Sequence, residues 1–396
     1  MGAIAADAAE PQAAGFVSSE ASGATSAQNR RMRRTDRARI ANLRLVAHNL
    51  VASTLTSPAE AASSMLATQA QDLSSAQWAL AVRSPGSTIT DVDKAFNEGS
   101  IVRSWPFRGT LHVTPAADLG WMLALTRDRI LRGATTRHAG LGLDEQVFSR
   151  AADVVRGALR GGGRLSRAAL LAELDASGIA TGHQRGGHII WYLAHAGLIC
   201  FGPMEASGQA VVLTDEWIPE ARRLSPDEAL AELAVRYFTS HGPATLRDLL
   251  WWSKILVPEA RRAIESAGDR LRQIVIDDTV YYLGADQPDK PVAPGLILLP
   301  GFDEYLLGYG DRDAVLPPEH SARVVPGSNG IFLPMVVSNG QVVGTWRRTI
   351  RRATVDAAAT TFAPLTATST ARYMKAVESY ARYLGLNPGE ATIVDS

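Results

Sequence analysis

The sequence predicts an α+β protein: three tandem winged-helix units followed by a small C-terminal β-barrel. Three observations support this class. Apolar residues at helical spacing come in sets of about three helices, and each set closes on two short strands around a turn. The order runs three times along the chain with negligible similarity between sets, so what repeats is element order. Beyond Pro291 the pattern turns to strands: Leu296 to Pro300, Ile331 to Val337 and Gln341 to Trp346.

Residues 1 to about 28 are rich in Ala, Ser and Gly and are expected to be disordered, within an Ala/Arg-rich extension over 1–34. Seven arginines (30, 31, 33, 34, 37, 39 and 44) face one acid, Asp36, which describes either a solvated tail or a non-specific phosphate clamp. The first unit, 35–115, opens at Thr35-Asp36 as N-cap, with Ile40, Leu43, Leu45, Val46 and Leu50 at helical spacing. Ser57-Pro58 starts a second helix, with serine as cap and proline in the first turn. Further helices cover Ser75 to Val82 and about Asp91 to Asn97. Ile101 to Trp105 and Thr110 to Val113 then pair across Pro106-Phe107-Arg108-Gly109.

The second unit, 116–217, has helices from Asp144 to Leu159, from Ser166 to Leu174 and from His183 to Ala196, then a hairpin from Leu198 to Leu213. The third, 218–290, has helices at Pro226 to Ser240, Thr245 to Trp252 and Pro258 to Ser266 before a hairpin at Leu271 to Leu283. In 291–396, Ser338-Asn339-Gly340 marks a tight hairpin, and Ser369 to Leu384 an amphipathic helix.

At 396 residues the chain can bury large cores. Forty basic against forty acidic residues give zero formal charge, so only charge placement can point to a nucleic-acid partner. Apart from Lys94, Lys254, Lys290 and Lys375 every basic residue is arginine, which grips phosphate bidentately; a GC-rich coding bias produces the same skew. Cys200 is the single cysteine, which excludes an intramolecular disulfide and a thiolate metal cluster. No apolar run reaches membrane-spanning length and no signal pattern opens the chain, so a reducing cytoplasmic setting is expected.

Leu66-Ala67-Thr68-Gln69-Ala70-Gln71-Asp72 is the most informative stretch. Residues i and i+2 diverge on a helix but share a face of extended backbone, so Gln69 and Gln71 can cooperate only if the second helix has ended by about Thr68. Otherwise they are surface amides finishing a helix. Asp72 fits a helix cap. Arg103 and Arg108 flank a wing tip and are candidate phosphate contacts, and His183-Gln184-Arg185 opens the second unit's recognition helix. Trp251-Trp252 fits either core or base stacking. Adjacent Asp303 and Glu304 would face opposite ways on a strand and make a poor acid/base dyad. Arg312 follows Gly308-Tyr309-Gly310-Asp311, and Arg347-Arg348 and Arg351-Arg352 are basic pairs facing either a duplex or solvent.

Taken jointly, several segments resemble the AlkZ-like (YcaQ-type) family of DNA glycosylases over about Arg37 to Leu386. They are Leu66 to Gln71, Arg103 to His112, Leu198 to Pro203, Arg236 to Thr245, Phe302 to Tyr305 and Gly344 to Arg348. The resemblance implies winged helices around a C-terminal barrel, with a concave basic face for duplex DNA. It also implies removal of bulky or crosslinking alkylated purines, leaving an abasic site without metal or cofactor. The family's Gln-x-Gln falls on Gln69 and Gln71, while a related branch has Gln-x-Asp, with the acid where Gln71 stands. The chain is therefore similar to the glutamine-pair branch, linked to self-protection against DNA-alkylating natural products. A hairpin from the barrel side is expected to enter the cleft, within Tyr305 to Val325.

Glutamine is no strong base, but its carbonyl can accept from a water while its amide donates to sugar or base. An N7-alkylated guanine is cationic and leaves readily, so orienting water and stabilising developing charge suffice. The reading is a monofunctional glycosylase for bulky or crosslinked N7-alkylguanine in duplex DNA, acting as a monomer. Gln69 and Gln71 are the catalytic candidates, projecting together into a cationic hollow. Candidate DNA contacts are Arg44, Arg103, Arg108, His183, Arg185, Arg312, Arg347 and Arg348. The alternative is a non-catalytic winged-helix DNA-binding protein or transcriptional regulator.

Overall fold

The computed structural model describes residues 32–288, 295–328 and 330–395. The disorder expected of the extension as far as Arg31, and the boundary at Pro291, lie outside the described residues.

The first block contains α1 (Arg34–Ala47), α2 (Pro58–Met65), β1 (Thr68–Gln69), α3 (Leu73–Ala81), α4 (Ile89–Asn97), β2 (Ile101–Phe107) and β3 (Thr110–Pro115). Its starts follow sequence chemistry. The Ser57 hydroxyl accepts from the Glu60 amide, Asp72 accepts from the Ser75 amide, and Thr88 with Asp91 forms a capping box. α1 is the exception: it begins at Arg34, and Asp36 lies in its first turn beside Arg33 (2.8 Å) instead of capping it. β2 and β3 meet across Arg108-Gly109, both at positive φ (56° and 67°), the geometry that matches strand twist in a two-residue turn.

α5 (Leu119–Gly140) was not expected from the sequence. The second block follows as α6 (Glu145–Leu159), α7 (Arg167–Ala176), α8 (Arg185–His195), β4 (Ile199–Glu205), β5 (Gly208–Leu213) and the short α9 (Thr214–Trp217). α8 starts two residues later than expected because His183 and Gln184 hold left-handed φ angles of 51° and 71°. The third block is α10 (Pro226–His241), α11 (Leu246–Ser253), α12 (Val257–Ala267), β6 (Leu271–Ile276) and β7 (Thr279–Gly284). The C-terminal region holds β8 (Leu296–Leu299), α13 (Glu304–Leu307), α14 (Ser321–Val324), β9 (Met335–Ser338), β10 (Gln341–Ile350), β11 (Thr354–Thr361), α15 (Ala367–Leu384) and β12 (Asn387–Asp395).

The architecture is mixed α+β, with one correction to the expected barrel. The C-terminal strands form an open sheet ordered β12-β11-β10-β9-β8, and β12 joins β11 in parallel. The β8 and β12 edges do not meet, so no closed barrel forms among the described residues. Nor do residues 305–325 form a hairpin: they contain the helical turns α13 and α14. The hairpins of the first two blocks share a second sheet, β1-β3-β2-β4-β5, joined through Arg103 and Phe201, while β6 and β7 form a two-stranded sheet of their own, bridged at Tyr282 to Ala244.

Trp78 and Phe96 of the first block pack with Trp346, Tyr373 and Tyr380 of the C-terminal region. The indoles of Trp78 and Trp346 each donate at 2.8 Å to β8, to the carbonyls of Leu298 and Leu299. Each such buried aromatic contributes about 2–3 kcal/mol of apolar burial. The first block is thereby fastened to the last hundred residues. Among the described residues no helix is long and apolar enough to cross a membrane.

Candidate active site

α2 ends at Met65, and the chain reverses sharply. The Ala67 amide donates to the Met65 carbonyl (2.8 Å) across Leu66, which holds φ 65° and ψ −53°. This is a positive-φ γ-turn, a rare and strained conformation for a branched residue. The fully buried Leu66 side chain, packed in the cluster that holds Phe107, Tyr237 and Trp252, keeps it in place. The chain then extends: Thr68 and Gln69 pair with Val113 and His112, and the Ala70 amide donates to the Leu111 carbonyl at 2.7 Å. The condition set by the sequence is met, since the helix has ended before the two glutamines.

Their exposure differs from the expectation of two amides projecting together. Gln71 is half-buried, and its Oε1 accepts from the Leu111 amide at 3.3 Å. Gln69 is only 7 % exposed, and its buried Oε1 has no hydrogen-bond partner among the described residues. Leaving a buried acceptor unsatisfied costs about 1–3 kcal/mol. Asp72 caps α3 and also accepts from the Ser74 hydroxyl at 2.6 Å.

Behind the glutamines lies a buried polar cluster that the sequence did not reveal. Glu304 is fully buried; its Oε1 accepts from the Gln69 amide (3.0 Å) and its Oε2 from the Trp252 indole (2.8 Å). Arg108 stands 3.6 Å from the same carboxylate, donates to the Trp252 carbonyl at 3.2 Å and to His112 Nε2 at 3.0 Å. Burial acts to raise the Glu304 pKa, but Arg108, His241 and His112 together hold it at about 2. Burial and then Arg108 push His112 down to about 3. Its ring is therefore neutral, with Nδ1–H donating to the Thr110 carbonyl (2.8 Å) and Nε2 free to accept from Arg108.

A second buried ion pair adjoins it. Arg83 donates through both terminal nitrogens to Asp303, at 2.8 and 2.9 Å, with neither side chain open to solvent. Arg83 also donates to His48 Nδ1 (3.3 Å), which leaves Nε2–H to donate to the Tyr309 hydroxyl (2.7 Å), whose own proton goes to the His241 carbonyl (2.7 Å). Arg83→Met strands the Asp303 carboxylate, and is expected to cost about 3–5 kcal/mol in denaturant unfolding. A loss below about 1 kcal/mol would contradict the role given to this pair.

Most of the arginines expected on DNA are spent inside the protein. Arg44 is buried, donates to the Pro243 carbonyl (3.1 Å) and stacks 3.6 Å from the Tyr309 ring centre. Arg103 donates to the carbonyls of Ala70 (2.8 Å) and Gln71 (3.3 Å), so it braces the glutamine loop. Arg108 turns inward from its hairpin to Glu304, not outward as a wing tip. Arg185 donates to the carbonyls of Ala180 (2.8 Å), Gly142 (2.9 Å) and Leu141. Arg312 donates to the Leu306 carbonyl (3.0 Å) and lies over Phe332 (4.9 Å) and Trp251 (5.5 Å). His183 and Arg347 are exposed. Arg348 donates to the Ser74 hydroxyl at 2.8 Å, which sets the tip end of the β10–β11 hairpin beside Asp72 and the glutamine loop. That hairpin's tip carries exposed Arg351 and Arg352, with Ile350 at 55 % exposure. Trp252 is core, while Trp251 is partly open. Among the described residues no group of three His, Cys, Asp or Glu side chains gathers to hold a metal ion.

Known proteins resemble this chain in sequence and in fold. The chain is 28 % identical over 303 residues to an interstrand DNA cross-link repair glycosylase of Streptomyces sahachiroi, covering 70 % of this chain and 78 % of that protein. The solved structure of Streptomyces sahachiroi DNA glycosylase AlkZ superposes with a TM-score of 0.76 at 24 % identity, over 90 % of this chain and 99 % of that one, a likeness of fold. Residues 62–383 match the family described as DNA glycosylase AlkZ-like. That match spans both the glutamine strand and the Glu304 cluster, and the chain belongs to the AlkZ-like DNA glycosylase family.

Proposed function

We propose that this protein is a monofunctional DNA glycosylase that hydrolyses the N-glycosidic bond of bulky N7-alkylguanine adducts in duplex DNA, interstrand cross-links included. Family membership supports the reaction class, and the relative named for cross-link repair supports the substrate. The observation that carries the reading is the Gln69 carbonyl, a buried acceptor with no donor among the described residues, two residues from half-open Gln71 and three residues beyond the strained turn at Leu66. Unsatisfied groups and strain of this kind collect at functional sites.

In the proposed reaction Gln69 and Gln71 hold a water against the anomeric carbon of a bound nucleotide. The water oxygen bonds to C1′ and loses its proton to solvent. The C1′–N9 bond breaks, and its electron pair neutralises the cationic base, which leaves without needing an acid. The Gln71 amide is left to donate to sugar or base. We read the three helix-and-hairpin blocks as winged-helix units over 35–115, 116–217 and 218–290. The β10–β11 hairpin takes the role expected of a hairpin from the C-terminal side: its tip carries Arg351 and Arg352 beside exposed Ile350, with Arg347 further down the strand, a cationic tip with an apolar neighbour suited to a minor groove. His183 and Arg348 remain candidate backbone contacts. The regulator alternative draws on the same arginines, and Arg108 and Arg185 are held by protein groups in either reading, so excision is what separates the two.

The test is direct. Incubation with duplex alkylated at guanine N7, followed by alkali, is expected to give strand breaks at the modified guanines in the presence of a chelator. Duplex affinity should fall log-linearly with salt. Salt-dependent binding without breaks would replace this reading with the non-catalytic one.

A further inference from the structure

We infer that Glu304 is a positioning residue for the glutamine pair. The inference rests on the glycosylase reading above. β1 is two residues long and is the edge of its sheet, paired on one side only, with β3. The Ala70 amide points to β3, so the Gln69 amide points the other way, where a further strand would supply its acceptor. Glu304 occupies that place from 235 residues away, at 3.0 Å.

A carboxylate suits this place better than a carbonyl. Ionised acceptors form shorter and stronger bonds, and Glu304 has to meet two donors at once, the Gln69 amide and the Trp252 indole. It is fully buried and so does not reach substrate; its action runs through Gln69. The strand it holds follows the strained turn at Leu66, which favours relaxation once the tether is lost. Arg108 compensates the charge while its own guanidinium is fixed by His112 and Trp252. In Glu304→Gln one oxygen can still accept, but the new amide faces a donor on whichever side it turns.

The experiment uses the full chain and reads three quantities: the single-turnover excision rate at saturating enzyme, the Kd for alkylated duplex, and hydrogen exchange of the Gln69 amide. Glu304→Gln is expected to lower the rate about 10- to 100-fold, the scale of a misplaced reacting group. Kd should stay within about twofold while the Gln69 amide exchanges faster. Trp252→Phe removes one donor to Glu304 and is expected to lower the rate in the same sense, by less. Trp121→Phe is the control: its indole also donates to a buried carboxylate, Asp118 (2.9 Å), but that acid is bonded to Arg222 and Arg236 and not to the glutamine strand. A merely structural role would make the two tryptophan variants alike. Should Glu304→Gln not fold, the contrast between Trp252→Phe and Trp121→Phe decides. A wild type that excises while Glu304→Gln matches its rate overturns this inference alone. A wild type that excises nothing overturns the glycosylase reading and this inference with it.

Discussion

Replacing Gln69 with alanine is expected to lower excision of an N7-alkylguanine by two to three orders of magnitude, roughly 3–4 kcal/mol, the scale of losing one oriented polar group at a transition state. The change removes a carbonyl that meets no donor among the described residues, so the fold loses little and sheds a buried acceptor. Duplex affinity should hardly move, since Gln69 is 7 % exposed and offers almost no binding surface. The combination of a lower saturating rate with constant Kd is the signature of an interaction made only in the transition state. Gln71→Ala differs: it also deletes the acceptor for the Leu111 amide and should cost stability as well as rate. Full excision by Gln69→Ala, measured as alkali-labile breaks, would remove the glutamine from the mechanism.

The second expected result concerns acid. His48, His112, His195 and His241 are fully buried, and burial is the first cause that lowers each of them below the ordinary value of 6.5, to about 3 for His112 and about 4 for His195. Below pH 6.5 the unfolded chain protonates these rings before the folded one does, so stability is complete above that value and drains as pH falls toward 3–4. Each ring contributes a slope of up to about 1.4 kcal/mol per pH unit. Glu304 adds in the same direction: held at about 2 against 4.5, its contribution is present above pH 4.5 and fades as pH drops toward 2. Cooperative loss of tertiary structure is expected between roughly pH 4 and 5.5, read by near-ultraviolet circular dichroism. His112→Gln should move the midpoint to lower pH. An intact fold at pH 3 would mean that these rings accept protons in place.

Much of the fold was legible because its punctuation is local. Ser57 and Ser166 cap the helices they were expected to open, the helix expected to start at Thr245 is capped by that residue, and Ser338-Asn339-Gly340 turns between β9 and β10. α5 escaped because Asp118 offers it no side-chain cap, and beyond its first turns it is mostly exposed, with Arg127, Arg129, Arg132 and Arg137 blurring any stripe. β12 escaped because Asn387-Pro388-Gly389 reads as a turn, whereas it runs parallel to β11. At the site, the spacing of Gln69 and Gln71 carried the argument, but which arginines stay outside did not follow from spacing. Arg44 finds Pro243 199 residues away and Arg83 finds Asp303 across 220. Glu304 was set aside as sharing a strand with Asp303; instead Asp303 caps α13 and Glu304 opens it, and the two acids serve different partners, Arg83 and Gln69.

These spans bear on how the protein is made. A nascent chain that has left the ribosome as far as β8 has released both glutamines, but the carboxylate that tethers their strand is still inside the exit tunnel. Closing contacts across some two hundred residues is slow compared with forming local helices. Cutting competence should therefore arrive late, after synthesis of the C-terminal sheet, and an isolated N-terminal fragment should be inert however well its helices form.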